Sequence, residues 1–390
     1  MVTTASDLHA STMASNHGRW LCIVARRWKR VVLQEFLRGA TSLRFCTRLP
    51  RNASAYRQVD HLLVWGRQTT IPAELLAAHP HLKIVTAEDG FISSRGLGLT
   101  GSFYYSLLLD RLGVHYDAQA PSQLQQLLNQ HPLTTADEQL GQELVAFIRE
   151  HRLNKCNLSQ PALDATALPP RHRTTILAVG QVESDQALRK SLSPVRSNKA
   201  LLQAIREQHP EAWIVYRPHP NDVRKGYLRG NRAYLWHQHC DQLACDSDIS
   251  HWMDAVDAVH VISSTAGLEA LIRAKPVHTY GTPAYAGWGL TNDWAEQPGR
   301  DRQLNLDQLA AIMLGRYPRY FNWSNGQFCD ALSCLRHLQA INSQTIQESF
   351  YSRRLANKQR RIRLVRRLKM AAVRQVAPFG HWLERAPQVG

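Results

Sequence analysis

Three β-type runs in the second half of the sequence each end on residues able to do chemistry. Thr175–Val179 runs into Gly180-Gln181-Val182-Glu183-Ser184-Asp185, Trp213–Tyr216 into Arg217-Pro218-His219-Pro220, and Val259–Ile262 into Ser263-Ser264-Thr265-Ala266-Gly267. The third segment opens a helix. Its free N–H groups and positive end favour an anion such as phosphate, with the hydroxyls of Ser263, Ser264 and Thr265 as further donors. Arg217 and His219 can add charge-assisted donors to the same phosphate. The prolines on either side of His219 fix backbone φ and stiffen the segment that carries the imidazole. Glu269, a little inside the helix, can accept from ribose hydroxyls. Ser263-Ser264 alone would also read as a plain N-cap, and its coincidence with the His-Pro strand end favours a nucleotide. Glu183 and Asp185 follow a strand, facing the expected cleft, and are candidates for nucleophile or acid/base work.

The elements that position these residues alternate in the manner of parallel α/β units. In the first half Leu21–Val24, Leu62–Trp65 and Leu82–Thr86 read as buried strands. Val31–Leu37 begins a helix-like stretch, and Gln123–Asn129 (capped by Ser122) and Asp137–Glu150 read as helices. Pro161, Pro169 and Pro170 break the polar stretch 161–172, which marks a linker. Beyond it come strand Thr175–Val179, helix Asn198–Gln208 capped by Ser197, strands Trp213–Tyr216 and Val259–Ile262, helix Gly267–Ala274 and strand Val277–Tyr280. The expectation is a GT-B-like α/β fold of two doubly wound, Rossmann-like domains facing a cleft, at 19–165 and 172–320. A basic helical tail, 340–390, follows. Ligands of such sheets bind at the carboxyl ends of the strands.

Charge is distributed unevenly. The chain carries 47 Lys and Arg against 31 Asp and Glu. Residues 1–60 hold 10 against 3, residues 351–390 hold 11 against 1, and residues 61–350 hold 26 against 27. A neutral middle, with no interleaving of basic and stacking aromatic residues, speaks against nucleic acid as the partner. Cations at both ends suit an anionic membrane surface. From Arg353 to Val376 the residues Leu355, Ile362, Val365, Leu368, Ala372 and Val376 fall largely on one helical face among Arg and Lys, the pattern of a membrane-surface helix. No run approaches the roughly 18–20 apolar residues of a span, and Arg26, Arg27, Lys29 and Arg30 interrupt what would be an export signal. Seven scattered cysteines suit a reducing compartment. The expected location is therefore cytoplasmic, peripheral on the inner membrane. His237, His239, Cys240 and Cys245 fit no structural zinc spacing, so no metal site is expected.

The motifs resemble, in combination, the capsule-polysaccharide β-Kdo transferases, the KpsC-type family. In the second half the resemblance rests on Gly180-Gln181-Val182-Glu183-Ser184-Asp185, Arg217-Pro218-His219-Pro220, the run from Ser263 to Leu271 and the run from Tyr285 through Trp288 to Thr291. In the first half it rests on Trp28-Lys29-Arg30, Val64-Trp65-Gly66, Glu88-Asp89-Gly90-Phe91, Gly96-Leu97-Gly98, Leu109-Asp110 and Tyr116-Asp117. The Gly-Gln-Val-Glu and Trp-Lys-Arg segments are similar to the second of the family's two transferase modules, and a single module implies a single linkage. The resemblance implies a CMP-β-Kdo donor, no further cofactor, and retention of configuration with Asp185 as the nucleophile that forms a glycosyl adduct. Gln181, Arg217, His219, Ser263, Ser264, Thr265, Gly267 and Glu269 fall on the donor side. Glu88 and Asp89 are candidates for acceptor orientation or the base step. Trp28, Lys29, Arg30, Glu183, Tyr285 and Trp288 are candidates for donor or acceptor contacts. The expected acceptor is a lipid-linked, Kdo-containing glycan.

The chain departs from the family at Ser93, where an Arg is usual, at Arg111, where a second Asp is usual, and at Asn221, which intervenes before Asp222. The first two bear on the acceptor more than on the donor. Two other readings stay open at this point. One is a transferase or epimerase of the same architecture using a UDP-sugar; the other is a non-catalytic membrane or nucleic-acid adaptor.

Overall fold

The computed structural model describes residues 15–96, 104–157, 161–164, 168–220, 222, 238–245 and 247–343. Its strands are β1 (Arg19–Ile23), β2 (Ser42–Cys46), β3 (His61–Trp65), β4 (Lys83–Asp89), β5 (Ser106–Asp110), β6 (Thr175–Val179), β7 (Trp213–Arg217), β8 (Gln242–Leu243), β9 (Ala258–Val261), β10 (Val277–Thr279), β11 (Asn292–Asp293), β12 (Arg319–Asn322) and β13 (Gln327–Cys329). The helices used below are α1 (Arg27–Phe36), α2 (Ala73–Ala78), α3 (Gln123–Gln130), α4 (Thr135–Glu150), α5 (Gln186–Lys190), α6 (Asn198–Gln208), α7 (Ile249–Ala255), α8 (Ala266–Ile272), α9 (Leu306–Ala310) and α10 (Ala331–Asn342).

The second sheet runs β11-β10-β9-β6-β7-β8, with every pair parallel. Its central strand β6, Thr-Ile-Leu-Ala-Val, is buried along its whole length, as expected of a parallel strand covered on both faces. The chain builds outward from β6 to β8 and then returns to lay β9 on the other side of β6. The strand order therefore reverses between β6 and β9, where doubly wound sheets open a ligand crevice.

The first sheet runs β13-β12-β5-β4-β3-β1-β2. Strands β2, β1, β3 and β4 are mutually parallel, with a reversal of order between β1 and β3. Strands β5, β12 and β13 are added antiparallel. The last two, at the end of the second domain expected at 172–320 and beyond it, belong to the first sheet. The chain leaves the second sheet before that point: α9 packs on α4, where a Cβ at Gly141 would overlap the Asp307 carbonyl. Strands β12 and β13 then complete the first sheet, and Phe36 of α1 meets Phe321 and Phe328 at 5.7 and 6.1 Å. The cause is burial: Phe321 and Phe328 find their apolar partner in Phe36, while β12 pairs with the outer edge of β5.

Local signals hold well at helix starts. Ser122 and Ser197 cap α3 and α6 as expected, each accepting from the backbone N–H three residues on. Helix α4 starts two residues before the expected Asp137, because Thr134 and Asp137 form a reciprocal capping box. Of the expected tail, Ala340–Asn342 end α10, and 344–390 lie outside the described residues.

Candidate active site

The carboxyl ends of β6 and β9 are tied together. Gln181, at the end of β6, accepts from the Ser263 N–H at 2.9 Å through Oε1, while its own N–H and C=O pair with the Asn198 side chain at 2.9 Å each. The Ser264 carbonyl accepts the Tyr285 hydroxyl at 2.6 Å, and Gly267 sits so close to that ring that a Cβ would overlap the hydroxyl. These bonds hold the strand ends rigid at the reversal point. Thr265 caps α8 without a side-chain bond and keeps its hydroxyl unpartnered among the described residues.

Several expected donor contacts have scaffold roles. Tyr285 and Trp288 are buried in the core, the Trp288 indole donating to the Ala284 carbonyl at 2.9 Å, though Trp288 also lines a small pocket with His115 and Asp117 of the first half. Glu183 accepts from the Asn198 N–H at 2.8 Å, in the first turn of α6, which Ser197 caps. Arg217 is buried and donates to the Ala244 carbonyl at 2.7 Å. His219 is half-buried beyond β7, and Asn221 lies outside the described residues. Glu269 accepts the Lys155 N–H at 2.8 Å, and burial raises its pKa to about 7, leaving one oxygen for a ligand.

Across the cleft, β4 ends on Glu88 and Asp89. Glu88 accepts from the Trp65 indole and from the Asp89 N–H at 3.1 Å each, and from the Tyr116 hydroxyl at 3.4 Å. Burial, then the neighbouring Asp89 charge, raises its pKa above the ordinary carboxylate range. Gly66 makes this cluster possible: its φ is +55°, and a Cβ would lie 2.6 Å from the Tyr116 hydroxyl and 2.7 Å from Glu88. Lys29 stacks its ammonium 3.5 Å from the centre of the Trp65 ring and stands 3.8 Å from Asp89. Burial lowers its pKa, against the pull of Asp89 and Glu88. The other two residues of that motif do not reach the cluster in the same way. Trp28 is buried with its ring tilted on Tyr104 at 5.4 Å, and Arg30 donates back to the Val24 carbonyl at 3.2 Å.

Asp185 follows β6 of the second sheet. It is exposed and caps α5, one oxygen accepting from the Ala187 N–H at 3.2 Å. Lys190, at the other end of α5, reaches Asp117 of the first half at 3.8 Å. Tyr116 and Lys155 both lie in the field of Asp185.

Lys155 went unseen in the sequence, where it stands in a structureless stretch after α4. The Ser93 and Ser94 N–H groups donate to its carbonyl at 2.9 and 3.2 Å, while its own N–H goes to Glu269. Its backbone thus bridges the halves. Among the described residues its half-buried ammonium has no hydrogen-bond or ion-pair partner within reach. Burial works to lower its pKa, but Asp89, Cys156, Glu88 and Asp185 outweigh it and hold the ammonium above its usual value. Ser93, one of the departures, serves this clamp. Arg111 donates to the Ser15 carbonyl at 3.1 Å at the end of β5, the opposite end of the sheet from Glu88 and Asp89, because β5 runs antiparallel to β4. No group of three His, Cys, Asp or Glu able to hold a metal occurs among the described residues, and no described helix is long and apolar enough to cross a membrane.

A family model described as capsule polysaccharide biosynthesis protein matches residues 60–148 and 138–320. The capsule polysaccharide modification protein LipA of Neisseria meningitidis is 34% identical over 319 residues, covering 80% of this chain and 44% of the relative. The chain thus spans less than half the length of that relative. The lipopolysaccharide-processing protein LpsZ of Rhizobium meliloti is 32% identical over 341 residues, 84% of this chain and 74% of that one. Two solved structures of Thermosulfurimonas dismutans KpsC are similar over 83% of this chain. The beta Kdo 2,7 transferase is 28% identical with a TM-score of 0.66, covering 99% of that chain. The beta Kdo 2,4 transferase is 26% identical with a TM-score of 0.69, covering 98% of that chain.

Proposed function

The chain belongs to the capsule polysaccharide biosynthesis protein family, of KpsC type, and on that premise we propose that it is a GT-B glycosyltransferase moving Kdo from CMP-Kdo to an acidic glycan acceptor with retention. The observation that supports the reading is that Lys155 lies in the field of Asp185, which follows β6, as well as of Glu88 and Asp89 at the end of β4.

The proposed chemistry is two displacements. The Asp185 carboxylate attacks the anomeric carbon of Kdo; the bond to the phosphate oxygen breaks, and CMP leaves with the electron pair. CMP is already a stable anion, so donors to its phosphate, among them His219 and Thr265, matter more than a strong acid. An acceptor hydroxyl then attacks the same carbon, its proton passing to Glu88 as the Asp185 ester breaks. Two inversions return the β configuration, the logic of retaining glycosidases. Burial raises the Glu88 pKa, which makes its carboxylate a stronger base for that proton.

Incubation with CMP-Kdo and a synthetic Kdo-terminated acceptor tests the reading. A β-linked product by NMR is expected; stabilisation by UDP rather than CMP in thermal shift, with no product from CMP-Kdo, overturns it. We also propose that the basic segment 351–390 holds the enzyme on anionic membrane, where a lipid-linked acceptor resides. Its removal is expected to abolish sedimentation with anionic liposomes while transfer to a soluble acceptor persists. Unchanged liposome binding would assign the segment another role.

A further inference from the structure

A pocket of about 580 Å³ opens at the carboxyl ends of β1, β2 and β3, where the first sheet reverses its order. That lies within the roughly 300–1,000 Å³ of small-ligand sites. Arg26, Lys29 and Arg48 bring three cations to its wall, and no carboxylate lines it. Neither Arg26 nor Arg48 has a side-chain partner among the described residues, and both are exposed. Thr47, Gln68 and Thr69 add neutral donors and acceptors.

Helix α1 starts at the same pocket. Arg26 is its N-cap and makes no side-chain cap bond, and no acidic residue stands in its first turn. Arg26, Arg27, Lys29 and Arg30 instead crowd cations onto the positive end of a ten-residue helix, an arrangement its dipole disfavours. Asp89, 3.8 Å from Lys29, offsets part of that repulsion. A bound anion at Arg26 would offset more of it.

We propose that this pocket binds a carboxylate-bearing, polyhydroxylated sugar, the acidic terminal residue of the acceptor. The carboxylate is held by the guanidinium groups of Arg26 and Arg48, and the hydroxyls by Thr47, Gln68 and Thr69. Lys29 joins the pocket to the reacting centre, lining it while standing 3.8 Å from Asp89. A sugar held there presents its free hydroxyls towards Glu88 and Asp89. The proposal rests on the transferase reading above.

The test is calorimetry on the full chain without donor, using the β-methyl glycoside of Kdo and its carboxamide. The acid is expected to bind, and the carboxamide to bind at least about tenfold more weakly, the worth of one charge-assisted contact. Arg26→Ala and Arg48→Ala should each cost the acid a similar factor. CMP affinity serves as the fold control. Equal binding of acid and carboxamide, or an unchanged affinity in the double Arg26→Ala/Arg48→Ala variant, overturns the proposal. So does displacement by inorganic phosphate at a site the sugar acid cannot enter. The two readings fail separately: a wild type that binds the sugar acid but transfers nothing from CMP-Kdo loses the transferase reading and keeps the pocket. Transfer whose acceptor KM ignores both arginine changes does the reverse.

Discussion

The two sheets treat their reversal points in opposite ways. In the second, Gln181, Asn198, Ser264 and Tyr285 spend their hydrogen bonds on one another, and the strand ends are locked before any ligand arrives. In the first, Arg26 and Arg48 have no side-chain partners among the described residues and stand around an open pocket. A braced rim suits a ligand that must be held in one pose through bond cleavage, since misplacement at the reacting centre costs rate steeply. An open, charged rim suits a ligand that is recognised mainly by its charge. On the proposed function, donor chemistry would fall to the second sheet and acceptor selection to the first.

The largest expected effect probes whether the nucleophile sits on the braced side. Asp185→Asn should lower transfer by about 10³-fold or more while CMP affinity stays near wild type, as when a covalent route is lost. Intact-protein mass spectrometry of the wild type with CMP-Kdo alone should show one added Kdo. In Glu88→Gln the adduct should persist after acceptor is added, because only the second displacement lacks its base. Near-normal turnover in Asp185→Asn with no wild-type adduct would move the chemistry elsewhere.

Next comes the residue that belongs to both halves. Lys155→Met should reduce kcat/KM by about 10²-fold, the scale of losing one preorganised electrostatic donor, and Lys155→Arg should recover part of it. A melting temperature that falls in both variants with equal activity loss would reduce Lys155 to a structural clamp.

A smaller effect tests the bracing itself. A helical Gly→Ala change usually gains up to about 1 kcal/mol, but at Gly267 the new Cβ overlaps the Tyr285 hydroxyl. Overpacking of this kind costs about 1–3 kcal/mol, so Gly267→Ala should lower stability and weaken CMP binding. Stabilisation would show that the Tyr285 contact is loose.

The smallest effect is a pH dependence confined to the second half. His260 is fully buried and stacked on His278 at 4.2 Å. Burial and the neighbouring imidazoles of His278 and His209 push its pKa down to about 2. The unfolded chain takes up a proton below about pH 6.5 that the folded chain refuses, so stability is full above that value and declines as pH falls. The raised pKa of Glu269 works in the opposite direction, so the measurement is a difference. Between pH 7.5 and 5.5 the wild type should lose about 1–2 kcal/mol more than His260→Gln. Parallel melting curves would mean that the site charges without cost.

Much of the second sheet was legible because its strands are continuous apolar runs with a chemical residue at each end, as in Thr175–Val179 before Gly180. Strand β2, Ser-Leu-Arg-Phe-Cys, escaped notice because it is short and none of its residues is fully buried, although Leu43 and Phe45 alternate with Ser42 and Arg44. The returning hairpin escaped for another reason: local pattern names a strand but not the sheet it joins. At the site, sequence placed Asp185 and Glu88 at strand ends but could not see that Asn198 would claim Glu183, or Ala244 would claim Arg217. Lys155 carries no local signal, since its importance comes only from the carboxylates gathered around it.

The return of β12 and β13 to the first sheet also sets an order of assembly. Emerging from the ribosome, residues 19–110 form five strands whose β5 edge stays bare until 319–329 have followed, some two hundred residues later. An uncovered edge of that kind invites pairing with other chains. The amino-terminal sheet is begun first and closed last, so the second sheet has time to fold during the interval, and separating the chain at the linker would strand an unfinished sheet.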